Sequence, residues 1–180
     1  MNDNPPSINV QPGEMYLVRR PVILRTILGS CVGVTFWCVR LQAGALCHGV
    51  LPRGPHVAGP EAYRYVDLSI RHLAQRFDAL GARRREVQVK LFGGADVLPV
   101  TAAGTGKPTV GAMNCQTALD VLRQEGLNVV ASDLGGTRGR TLEFHTGTGE
   151  VMVHRLATLN AAEVPGDPRS WPFARHQVSV

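Results

Sequence analysis

Long apolar runs are missing from this 180-residue chain. No stretch reaches the roughly 18 consecutive apolar residues of a membrane-spanning helix, so membrane insertion is not expected. Cysteine is scarce. Four residues are too few for a disulfide scaffold, and in a reducing compartment they should remain thiols. Lysine is scarcer still, Lys90 and Lys107 being the only two, and the positive charge rests on scattered arginines. A net charge of +5 raises the question of nucleic acid, but aromatic residues make up only 6%. No basic stripe interleaved with stacking aromatics is present, so nucleic acid is not expected as a partner. The densest run, Arg83-Arg84-Arg85, follows a helix end at Gly81 and reads as a solvated turn. An acidic protein partner fits the charge equally well. The head, Met1 to Gly13, is polar and holds three prolines. It has neither the basic start nor the apolar middle of a secretory signal, and a cytoplasmic location is the expectation.

Apolar residues are plentiful even though they are not continuous. At 44% hydrophobic and 18% charged, the chain can build a sizeable core, and its length suits one domain. Strands are expected at Glu14–Val18, Val22–Ile27, Val32–Val39 and Ala43–Val50, where β-branched and apolar residues cluster. A helix follows. Pro60 suits its first position, Val66, Ile70, Leu73, Phe77 and Leu80 repeat at helical spacing, and Gly81 suits its left-handed end. Glu86–Phe92 alternates as a strand. The glycines and Pro108 of Thr101–Gly111 make a loop. A second helix is expected over about 111–125, with Cys115, Leu119 and Leu122 inward and Gly126 as its stop. Leu127–Ser132 reads as a strand, Asp133–Gly139 as a turn, and Arg140–Thr146 with Val151–Leu156 as a hairpin. This mixture of strands and helices argues a mixed-sheet α/β or α+β domain. It is expected over residues 14–164, between a flexible N-terminal segment, 1–13, and a proline-rich tail, 165–180, that carries Trp171 and Phe173.

The best candidate for chemistry is Leu28-Gly29-Ser30-Cys31-Val32, a tight turn between two strand-like runs that places Cys31 at its edge. Such a turn leaves backbone N–H groups free, as at Gly29 and Ser30, and an oxyanion intermediate needs them. His48 lies seventeen residues further on, in a strand that brings it towards Cys31. A cysteine paired with histidine as thiolate and imidazolium is a nucleophile. The spacing also admits a buried, inert thiol. Cys38 and Cys47 read as core residues. The four cysteines contain no C-x₂₋₄-C pair, so no metal site is expected. The glycines of Asp133–Arg140 lack the Lys-Ser/Thr of a phosphate loop. His56 and His72 have no carboxylate at ligand spacing, and His145 and His154 face each other across the hairpin as ordinary strand residues.

The string from Thr26 to Val32, Thr-Ile-Leu-Gly-Ser-Cys-Val, followed by His48-Gly-Val-Leu-Pro52, resembles the signature of the CheD family of chemoreceptor glutamine deamidases. The resemblance continues through Lys90–Ala95, Gly111–Asn114, Ala131–Arg140 and Phe144–Val151, and spans about 13–156. It implies that Cys31 is the nucleophile, His48 the general base and Thr26 the residue that orients the histidine. Gly49-Val50 departs from the bulkier pair typical of the family. The implied fold is that of cytotoxic necrotizing factor catalytic domains, with mixed β-sheets packed together and flanked by helices. The implied activity is that of a protein-glutamine glutaminase acting on methyl-accepting chemotaxis receptors, without metal or organic cofactor. The resemblance also implies docking to a CheC-type phosphatase, and with it a rival reading as a regulatory binding module. A third reading, another thiol hydrolase such as a peptidase, shares the same Cys-His pair.

Overall fold

The computed structural model describes residues 5–55, 58–97 and 107–157. His56, most of the Thr101–Gly111 loop and the whole proline-rich tail lie outside the described residues. Among the described residues the strands number nine: β1 (Ser7–Asn9), β2 (Met15–Val18), β3 (Ile23–Leu28), β4 (Val32–Cys38), β5 (Ala43–Gly49), β6 (Gln88–Gly93), β7 (Asn128–Leu134), β8 (Arg140–His145) and β9 (Val151–Arg155). They form two sheets, in the orders β1-β3-β8-β9 and β2-β5-β4-β6-β7. Both are mixed: β1–β3 and β6–β7 are parallel, and the other pairs are antiparallel. The helices are α1 (Val66–Ala79) and α2 (Val110–Gln124). This is the mixed-sheet α+β architecture expected from the sequence.

Strand alternation sorts the side chains into two layers. Val32, Val34, Phe36 and Cys38 of β4 share a core with Ala43, Ala45 and Cys47 of β5 and Val89 and Leu91 of β6. Against them pack Val66, Ile70, Leu73, Ala74 and Phe77 of α1 and Ala118, Val121 and Leu122 of α2. Each large side chain removed from water contributes about 1.5–3 kcal/mol, so the periodic face of α1 is what holds that helix on the sheet. The opposite faces of the strands meet the other sheet. There Leu24 of β3, Leu46 of β5 and Phe144 of β8 form one cluster, and Leu28, Phe92 and Leu142 another. With layers on both sides, β5 is buried along its whole length.

Three expectations are corrected. The head is not wholly a flexible segment: β1 pairs in parallel with β3, and Val10 is buried in the cluster between the sheets. Pro60 opens a separate 3₁₀ turn, Pro60–Arg64, instead of α1. Tyr65 is drawn out of helical geometry by its bridge to Leu51, with Val66 N–H donating to the Leu51 carbonyl. In α2 the buried positions are Gly111, Asn114, Thr117, Ala118, Val121 and Leu122, so Leu122 is inward as expected, while Cys115 and Leu119 pack against the core only partly buried. The stops at Gly81 and Gly126 hold, each glycine having a positive φ beyond its helix.

Candidate functional site

Leu28 ends β3 in one sheet and Val32 begins β4 in the other, so Gly29-Ser30-Cys31 is the link by which the chain crosses between sheets. All three of its carbonyls are held. Ala95 N–H donates to Gly29 O (2.8 Å), Asn114 Nδ2 to Ser30 O (2.9 Å) and Gly94 N–H to Cys31 O (2.8 Å). Gly93 is required for this approach, because a Cβ there would lie 2.2 Å from the Cys31 oxygen. Among the described residues no backbone carbonyl accepts from the N–H of Ser30 or Cys31.

His48 lies on β5 directly opposite Gly33 of β4. Cys31 precedes Gly33 by two residues, which places it on the same side of the sheet as His48, as a diagonal neighbour. Its packing against the Leu28, Phe92 and Leu142 cluster confirms that side as the one between the sheets. Thr26 reaches in from β3: its Oγ1 lies 2.8 Å from His48 Nδ1 and 2.8 Å from the Val10 carbonyl. The hydroxyl has one hydrogen, and Val10 O can only accept it. Thr26 Oγ1 therefore accepts from His48 Nδ1–H, which fixes the tautomer with the lone pair on Nε2. That Nε2 is buried and has no hydrogen-bond partner among the described residues.

Thr26 and His48 are thus joined directly, whereas Cys31 stands near them without a hydrogen bond to either. Burial pulls the His48 imidazole down to about 4. Burial also raises the Cys31 thiol, an effect its own N–H partly offsets. Burial thus works against the charged form of each group, the thiolate of Cys31 and the imidazolium of His48. Cys38 and Cys47 are core residues, and burial pushes the Cys47 thiol up to about 11. His154 stands opposite Thr141, not His145, so the two hairpin histidines do not face each other. Among the described residues no three His, Cys, Asp or Glu side chains gather as metal ligands. No helix among them is long and apolar enough to cross a membrane.

Two contributors carried no signal that the sequence alone assigns to a site. Val10 belongs to the proline-flanked head, and Asn114, although it ends the matching stretch Gly111–Asn114, is one of several polar residues in an amphipathic helix. The departure at Gly49 has a structural cause, since a Cβ there would meet Val66 Cγ2 at 2.6 Å. Helix α1 crosses β5 too closely for a side chain.

Fold and site together define an α+β protein with a cysteine at the crossing between sheets and a threonine-anchored histidine buried beside it. The model of the CheD family, described as CheD chemotactic sensory transduction, matches residues 50–155. "Probable chemoreceptor glutamine deamidase CheD 2" of Geobacter sulfurreducens is 46% identical over 156 residues, covering 87% of this chain and 94% of that protein. "Probable chemoreceptor glutamine deamidase CheD" of Rhodospirillum rubrum is 33% identical over 178 residues, 96% of this chain and 98% of its own. The chain belongs to the CheD family. A solved structure, the Bacillus licheniformis hypothetical protein YfiH, superposes with a TM-score of 0.47 at 13% identity, covering 69% of this chain and 51% of that one.

Proposed function

We propose that this protein hydrolyses glutamine side chains of methyl-accepting chemotaxis receptors to glutamate, releasing ammonia. The observation that carries the reading is the near full-length similarity to a relative named for that activity, at 46% identity. Cys31 is the nucleophile, and its sulfur attacks the carboxamide carbon while His48 Nε2 takes the thiol proton. The N–H groups of the Gly29-Ser30-Cys31 link hold the oxyanion. Collapse breaks the C–N bond, and the imidazolium gives its proton to the departing ammonia, leaving a thioester. A water then attacks, and His48 takes its proton. The second collapse expels the Cys31 thiolate, which recovers a proton from His48, and the product is the free acid.

The depressed basicity of His48 suits one half of this cycle. A weakly basic imidazole gives a strongly acidic imidazolium, which favours protonation of a poor leaving group. Thr26 Oγ1 accepts the hydrogen bond from Nδ1–H throughout and so keeps Nε2 as the working nitrogen. The same proposal places the protein in the cytoplasm, beside the receptors' cytoplasmic helices. Peptide mass mapping of a receptor cytoplasmic fragment after incubation with the purified protein tests it. Conversion of particular glutamines to glutamate is expected, and a fragment left unchanged under conditions where the protein is folded contradicts the reading.

A further inference from the structure

Asn114 has no part in the steps above, yet it is fully buried and reaches both segments that carry them. The last rung between β4 and β5 is Val32 with Gly49, so Ser30 and Val50 lie just beyond the ladder. Asn114 Nδ2 donates to both of their carbonyls, at 2.9 Å and 3.0 Å. Two carbonyl acceptors fix which end of the amide is nitrogen, and Oδ1 is left buried without a partner. Ser30 immediately precedes Cys31, and Val50 follows His48 by two residues. One side chain from α2 therefore ties together the ends of the strands bearing the nucleophile and the base.

We propose that Asn114 is the positioning residue of the oxyanion site. No peptide among the described residues is cis, and a planar trans peptide points its N–H opposite to its C=O. Holding Ser30 C=O towards α2, in the helix layer, aims the Cys31 N–H away from it. That direction is the side between the sheets, where Cys31 and His48 both lie. Without the amide, the Ser30–Cys31 peptide is held only through the neighbouring Gly29 and Cys31 carbonyls, and the donor that should meet the developing negative charge loses the bond that fixes its own peptide plane. Loss of alignment at such a donor costs on the order of 100-fold in rate.

The inference rests on Cys31 being the nucleophile, and its test separates the two. Asn114→Leu keeps the side chain's approximate size and removes both donors, and Asn114→Asp keeps its shape and removes the two N–H donors, leaving at most one O–H. Two quantities are measured in each: kcat and KM for deamidation of a receptor cytoplasmic fragment, and the rate of Cys31 alkylation by iodoacetamide at mildly alkaline pH. Alkylation passes through no oxyanion. The expected result is a fall in kcat on the order of 100-fold, with KM and the alkylation rate within about threefold of wild type. A folded variant with wild-type kcat overturns the inference, and so does a parallel fall in kcat and alkylation, which marks a merely structural residue. If Asn114→Leu and Asn114→Asp do not fold, the smaller Asn114→Ser is read in the same way. Failure of all three to fold assigns Asn114 to the core and overturns the inference as well. Deamidation that survives Cys31→Ala removes the underlying mechanism instead.

Discussion

Replacing His48 with asparagine isolates one histidine's share of the acid sensitivity of this fold. In the native protein the imidazole stays neutral down to about pH 4, because burial opposes its charge. In the unfolded chain it takes up a proton near its reference value of about 6.5. Between those values the unfolded state binds more protons, so stability falls as pH falls, by about 1.4 kcal/mol per unit. The contribution is fully present above about pH 6.5, and about 3 kcal/mol of it is gone by pH 4. The asparagine amide can still donate towards Thr26 Oγ1 but does not titrate. Urea unfolding of both proteins from pH 7 to pH 5 reads the difference, since every other group is common to both. Wild type should lose about 2 kcal/mol more than His48→Asn over that range. Parallel stability curves would mean that the imidazole is not buried in its neutral form, and the fixed tautomer argued from Thr26 would fall with it.

Thr26→Val leaves His48 Nδ1–H and the Val10 carbonyl without their shared partner. It should cost about 1–3 kcal/mol of stability and about tenfold in kcat, whereas an unchanged kcat would free the histidine from any need of its anchor. Gly49→Val places a side chain where Val66 already sits and should destabilise the protein by about 1–3 kcal/mol in thermal melts; a wild-type melting temperature would contradict the close crossing of α1 over β5. Because burial raises the Cys31 thiol and His48 stays neutral, alkylation of Cys31 followed by mass spectrometry should climb only as pH approaches and passes the free-thiol value near 8.5. Rapid alkylation at mildly acidic pH would instead reveal a preformed ion pair.

Periodicity made much of the fold legible. Val66, Ile70, Leu73 and Phe77 repeat on one face because a single apolar stripe meets the sheet, and that stripe is visible in the sequence. Strands β3, β4 and β5 were legible as apolar runs, but the crossing between sheets at Gly29-Ser30-Cys31 was not. A tight link between two strands looks the same whether they pair or part. Strand β1 escaped notice because Ser7-Ile8-Asn9 has one apolar residue, and its pairing with β3 is a backbone contact across the chain. The extended Tyr65 is likewise set by its partner Leu51, not by local propensity. At the candidate site, Cys31 and His48 were legible from the Gly-Ser-Cys turn and the strand that follows, and Thr26 only through the resemblance to the CheD family. The Thr26–Val10 bond and the double anchor of Asn114 depend on contacts between distant segments, which spacing along the chain does not encode. The shift of Cys31 and His48 towards their neutral forms follows from burial, of which spacing along the chain is no direct measure.

Substituting the cysteines one at a time tests the central claim most directly, with deamidation of a receptor cytoplasmic fragment read by peptide mass mapping. Cys31 alone lies on the crossing between sheets, while Cys38 and Cys47 are buried in the helix-side core and Cys115 packs at its edge. Cys31→Ala should abolish conversion of glutamine to glutamate in a protein that remains folded. Cys38→Ala, Cys47→Ala and Cys115→Ala should lower stability and leave the activity of the folded protein in place. Undiminished conversion by Cys31→Ala would contradict the account.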